Sequence, residues 1–140
     1  MNKPPIVIVD ADAIVAQAYP NDSNHQKAVA ISDNLNKLGA QVIYPATAVL
    51  EAVTVLQGRL NSGATAYGTA VVFTDPKVEV AEVSQTTLMS AMDNFSPTTS
   101  KKNTLFDCVV LAVAEENKAD AIFSFDHFYK NKGFKLASEI

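Results

Sequence analysis

Two rhythms of hydrophobic positions alternate along the chain. Ile6-Val7-Ile8-Val9 is an unbroken apolar run, the form a strand takes when both faces are covered. Asn21-Asp22-Ser23 supplies helix-capping side chains. Ala28, Ile31, Leu35 and Leu38 then recur at helical spacing until Gly39 stops them. Residues 41–44 predict a second strand, ended by Pro45, and residues 47–56, apolar almost all round, predict a buried helix. Asn61-Ser62-Gly63 marks a turn before a helix over 64–73, whose apolar stripe is expected in the core. A short strand is expected over 78–83, with Val78 and Val80 on one face and Glu79 and Ala81 on the other. Ser84 caps a helix to about residue 95, and the polar stretch 96–103 is the one clear loop. Thr104 caps the next helix, to about residue 117. Residues 121–125 read as a strand, 126–130 as a short turn or helix, and 134–136 as a last short strand. Strands alternating with helices, and lacking polar alternation, predict a parallel α/β sheet covered on both faces.

Four carboxylates interrupt this apolar pattern. Asp10 closes the first run, Glu51 is the only charge between Ala46 and Leu56, Asp107 the only one between Thr104 and Ala114, and Asp126 follows Ala121-Ile122-Phe123-Ser124-Phe125. An ionised carboxylate in apolar surroundings is costly unless paired, and no Lys or Arg lies inside these segments. Open parallel sheets bind ligands outside the carboxyl ends of their strands, where the following helices begin. Asp10 and Asp126 are expected at strand ends, Asp107 in the first turn of its helix and Glu51 early in its own, so all four belong on one side of the sheet. Asp107 shares a helix face with Val110, Leu111 and Ala114, which turns it inward; a first-turn acid favoured by the helix dipole alone has no need to face that way. Four converging carboxylates suit a hard divalent cation, and such a cation suits phosphate chemistry.

At 140 residues, 48% of them hydrophobic and 19% charged, the chain is long enough for one domain with its own core, expected over 1–140. No apolar run approaches the about 20 residues of a membrane span. The N-terminal apolar run is too short and too acidic for a signal peptide, and the single Cys108 cannot form an internal disulfide. A cytoplasmic location without membrane contact is the expectation. The net charge of −4 argues against a broad basic surface for nucleic acid. It leaves RNA open, because four site carboxylates account for the deficit and bound metal would offset them.

The ordered set of strand–Asp, helix-Glu, helix-Asp and strand–Asp resembles the PIN-domain nucleases. Val7-Ile8-Val9-Asp10-Ala11-Asp12 is similar to their opening motif, and Asn24-His25-Gln26-Lys27-Ala28 to the segment after the first helix. Leu50-Glu51-Ala52-Val53-Thr54-Val55-Leu56 looks like the second-acid helix, and Phe106-Asp107 through Ala114 like the third-acid helix. Ile122-Phe123-Ser124-Phe125-Asp126-His127-Phe128 resembles the closing motif. The size is that of single-domain bacterial members, the VapC-type toxins of type II toxin–antitoxin pairs. The resemblance implies a three-layer α/β/α sandwich around a mostly parallel sheet, and RNA cleavage dependent on one or two Mg²⁺ or Mn²⁺ ions. It also implies a cognate antitoxin that blocks the site, and homodimerisation. By position Asp10, Glu51, Asp107 and Asp126 would be the acidic quartet. Asp10 and Asp107 are expected as direct metal ligands, and Glu51 and Asp126 as direct or water-mediated ones.

Asp12 reads either as a helix cap or as a supporting group that contacts a metal-bound water. Ser124 would support the site by bonding Asp126 or such a water. Lys101 and Lys102 in the loop before Asp107, and Lys130 and Lys132 beyond Asp126, are candidate RNA-phosphate contacts. His25 is expected to be structural, His127 to pack or touch substrate, and Cys108 to be a small buried hydrophobe. Tyr19, Tyr44, Tyr67 and Tyr129 are equal candidates for stacking on bases. Two rival readings compete. Asp10-Ala11-Asp12 after a strand also resembles the nucleophile motif of haloacid-dehalogenase-type phosphatases, which leaves Glu51 and Asp107 without a role. A catalytically silent PIN-like binding module would not need all four acids. A phosphorelay receiver would need an Asp at the end of a middle strand, which Tyr44-Pro45 and Glu82-Val83 do not supply.

Overall fold

The computed structural model describes residues 3–140. Its strands are β1 (Ile6–Val9), β2 (Gln41–Pro45), β3 (Glu79–Ala81), β4 (Ala121–Phe123) and β5 (Lys135–Leu136). They form one parallel sheet in the order β3-β2-β1-β4-β5, with Val7 of the central β1 facing Val42 on one side and Ala121 on the other. The apolar run of β1 follows from this position. Val7 and Val9 pack on one face with Ala121 and Phe123, and Ile8 packs on the other with Ile43 and Ile122. The first face carries α1 (Ala11–Ala18), α2 (His25–Lys37), α3 (Ala46–Gln57) and α4 (Gly63–Val72). The second carries α5 (Gln85–Ala91), α6 (Leu105–Glu116) and the short α7 (Phe128–Asn131). This is the three-layer α/β/α arrangement expected from the sequence. No helix among the described residues is long and apolar enough to cross a membrane.

Several local expectations change. α1 follows β1 directly and carries no start signal beyond Asp10 itself, which caps it by accepting the Ala11 N–H. Asp12 therefore lies within the first turn of α1 and is not its cap. β4 stops at Phe123, two residues short of the expected end, because the Phe125 N–H turns away from the sheet to Asp12. β3 spans only Glu79–Ala81, and the helix after Ser84 tightens into a 3-10 turn at Met92–Asn94. α3 is not buried all round: Leu50 is 67% exposed, and Glu51 stands in the second turn, later than expected. The stripe of α4 is not core either. Ala66 is its only buried residue, and Tyr67 is 75% exposed. A helix with no charged residue has no strongly polar face from which periodicity can tell which side is covered.

Candidate active site

β1 ends at Asp10, which is the buried anchor of the carboxyl edge, only 4% exposed. Its Oδ1 accepts the Ala11 N–H at 2.7 Å, while Oδ2 accepts the Tyr129 hydroxyl at 2.9 Å and the Ser124 hydroxyl at 3.1 Å. α1 then carries Asp12 one residue into the helix. Asp12 Oδ2 accepts the Phe125 N–H at 2.9 Å and approaches Ser124 Oγ at 3.2 Å, whereas its buried Oδ1 has no partner. Ser124 thus bonds the two β1-side acids. Its oxygen also accepts the Asp126 N–H at 3.0 Å, which curls the chain after β4 and sets Asp126 at the rim. Asp126 in turn accepts the Phe128 N–H and the Asn103 side-chain amide. Asp107 in the first turn of α6 is shared between two tasks: Oδ2 accepts the Thr104 N–H at 2.9 Å, and Oδ1 lies 3.3 Å from the Tyr129 hydroxyl.

Asp10, Asp12, Glu51, Asp107 and Asp126 line one pocket of about 170 Å³, together with Ala11, Lys102 and Thr104. The elements therefore bring the four lone carboxylates of the sequence together, and Asp12 joins them. Of the candidate cations only Lys102 lines this pocket. Lys101 does not, Lys130 is paired with Glu139 at 3.2 Å, and Lys132 lies over the Phe128 ring. His25 is structural, its Nδ1 2.7 Å from the Ala16 carbonyl, and Cys108 is buried.

Crowding of like charges in a partly dry site has the electrostatic effect it should have. Burial, then the charges of Asp12 and Asp107, push the Asp10 carboxyl up to about 8 against the pull of Tyr129 and the Ala11 N–H. Burial raises Asp12 to about 6, and burial with Asp107 and Asp12 raises Glu51 to about 7, with Arg59 pulling the other way. Asp107 is raised mainly by burial. Such a cluster stores charge that a cation would neutralise.

The donor set fits a hard divalent ion. Every site acid offers oxygen, and Asp12 Oδ1 is a buried acceptor with nothing to accept from. Among the described residues no three His, Cys, Asp or Glu side chains stand close enough together to hold an ion between them as they are. Carboxylates set that far apart suit an ion that keeps part of its water shell and meets some of them through water, as Mg²⁺ does.

Two residues of the site escape sequence reasoning. Tyr129 is fully buried with its hydroxyl between Asp10 and Asp107, so it is no base-stacking surface. Asn103, at the end of the polar loop, holds Asp126. A Tyr in a mixed polar segment and an Asn at the end of a loop look ordinary, and neither carried a signal.

A family model described as PIN domain matches residues 7–135. No curated protein matches the sequence significantly. Among solved structures, the fold is similar to that of Mycobacterium tuberculosis VapC20, described as a sarcin–ricin-loop-cleaving toxin. The TM-score is 0.79 at 18% identity, covering 91% of this chain and 95% of that one.

Proposed function

The chain belongs to the PIN domain family, and on that premise we propose that it is a divalent-cation-dependent endoribonuclease acting as a single PIN-like domain. The observation that carries this reading is the pocket of five carboxylates at the carboxyl edge of the sheet, with an unpartnered buried oxygen on Asp12. Asp10 and Asp107 would hold Mg²⁺ or Mn²⁺, with Glu51 and Asp126 binding directly or through water. A bound ion supplies an activated water and neutralises charge on the attacked phosphate and its leaving oxygen. Asp12 and Ser124 orient Asp10 and the waters beside it, and Tyr129 fixes Asp10 against Asp107. Lys102, at the pocket wall, faces the substrate phosphates.

We further infer that the protein is the toxin of a type II pair, with an antitoxin as partner and a homodimer as its assembly. Exposed Leu50 on α3 and Tyr67 and Val71 on the adjoining α4 support a protein-binding surface. The sarcin–ricin loop, named as the target of the similar toxin, is the first RNA to try. Purified protein is expected to cut such RNA with Mn²⁺ and to stop on chelation, and Asp10→Asn to lose at least about a hundredfold in rate while staying folded. Undiminished cleavage by Asp10→Asn would refute the assignment.

A further inference from the structure

We propose that a second depression, continuous with the acidic pocket, is a subsite for the nucleotide flanking the cleaved bond, with Arg59 on its phosphate and Asn24 on its base edge. This rests on the ribonuclease reading above. The depression is about 280 Å³ and shares Ala11, Asp12 and Glu51 with the acidic pocket, so the two are halves of one groove. Their walls differ. Val15, Val55 and Leu60 give the second half more apolar wall than the first, and Asp22, tied by its Oδ1 to the Asn24 N–H, lines it beside Asn24.

Arg59 is the only arginine of the chain and stands exposed in the turn after α3. Its charge reaches Glu51, yet the only ion pair among the described residues is Lys130–Glu139. Its guanidinium is left with a fork of donors matched to a phosphate. Asn24 precedes α2 without capping it through its side chain. Its backbone N–H is tied to Asp22 Oδ1 at 2.8 Å, which fixes the turn and leaves the amide head uncommitted. Such an amide can read a base edge through two hydrogen bonds, while the apolar wall takes the face of the base.

Lys102 lines the acidic half and Arg59 the other, with Ala11, Asp12 and Glu51 shared between the two. A strand that crosses both halves meets one cation in each, with the shared acids between the two depressions. At about 280 Å³, close to the roughly 300 Å³ at which ligand pockets begin, the depression has room for one nucleoside.

The test uses a random-sequence single-stranded RNA pool cut by purified full-length protein with Mn²⁺, with the new ends sequenced. The best-cut sequence is then made as a fluorescent oligonucleotide. Wild type is expected to prefer one base beside the cut, and Asn24→Ala to flatten that position alone. Arg59→Gln should raise KM about tenfold with kcat nearly unchanged and lower the salt slope of binding by about 0.7, and Arg59→Lys should recover part of the KM. A neutral methylphosphonate at the flanking phosphate should weaken wild type but cost Arg59→Gln nothing further, which a merely structural Arg59 would not produce. Active wild type with both variants matching its KM and base preference overturns the subsite alone. A wild type that cuts neither this pool nor sarcin–ricin-loop RNA overturns the ribonuclease reading, and the subsite with it, whereas one that cuts the loop RNA and nothing in the pool overturns the subsite alone.

Discussion

Tyr129 has one phenolic proton and two acids to serve, Asp10 at 2.9 Å and Asp107 at 3.3 Å. Burial and the surrounding carboxylates push its ionisation far above the usual tyrosine range, so it stays a neutral donor. Tyr129→Phe leaves Asp10 Oδ2 with Ser124 alone and unties Asp107. A loss of about 1–3 kcal/mol in urea denaturation is expected, with weaker Mn²⁺ binding by calorimetry. Asp10 gives a pH prediction. Its carboxyl titrates near 3.8 in the unfolded chain and about 8 in the folded one, so the folded protein keeps a proton that the unfolded chain releases. The stability it contributes is complete below about pH 4 and is lost as pH rises toward 8. Metal-free wild type should therefore lose stability relative to Asp10→Asn progressively across this window. Parallel melting profiles would refute this. The sequence revealed Asp10, Glu51, Asp107 and Asp126 because a lone charge in an apolar run is conspicuous. It concealed Tyr129 and Asn103, whose bonds to Asp10 and Asp126 cross 119 and 23 positions.

Elements, too, divide into those that sequence could find and those it could not. β1 and α6 are nearly as expected, because each is bounded by a physical stop: Asp10 at the end of one, Thr104 at the start of the other. α1 was obscured because its only start signal is Asp10, which closes the strand before it. The end of β4 was obscured because Asp12 draws the Phe125 N–H out of the ladder, and a hydrogen bond across 113 positions leaves no local pattern. α6 also couples capping to the site, since one carboxylate of Asp107 both accepts the Thr104 N–H and lines the acidic pocket. Asp107→Asn keeps an acceptor for Thr104 and should retain stability while losing cleavage. Asp107→Ala should lose cleavage and about 1 kcal/mol as well. Urea denaturation beside a cleavage assay separates the two, and equal stability of both variants would contradict a capping role.

For the whole molecule, a net charge of −4 and a pocket of five acids make the metal-free protein a poor ligand for RNA. A divalent ion would reverse that locally, with Lys102 lining the acidic pocket and Arg59 the adjoining depression. Affinity for RNA should therefore depend on the ion more than on general basicity. The sheet order, set by β1 between β2 and β4, is what gathers acids from positions 10, 51, 107 and 126 at one edge. That gathering was legible from the rule that parallel sheets bind at their carboxyl ends, whereas the exposed apolar surface of α4 was not. The central claim is that this acidic edge cuts RNA. It is tested most directly by mapping new RNA 5′ ends in bacterial cells after induction of wild type and of Asp10→Asn. Discrete new ends with wild type that vanish in Asp10→Asn are the predicted result; no new ends with wild type, or the same ends with both, would contradict it.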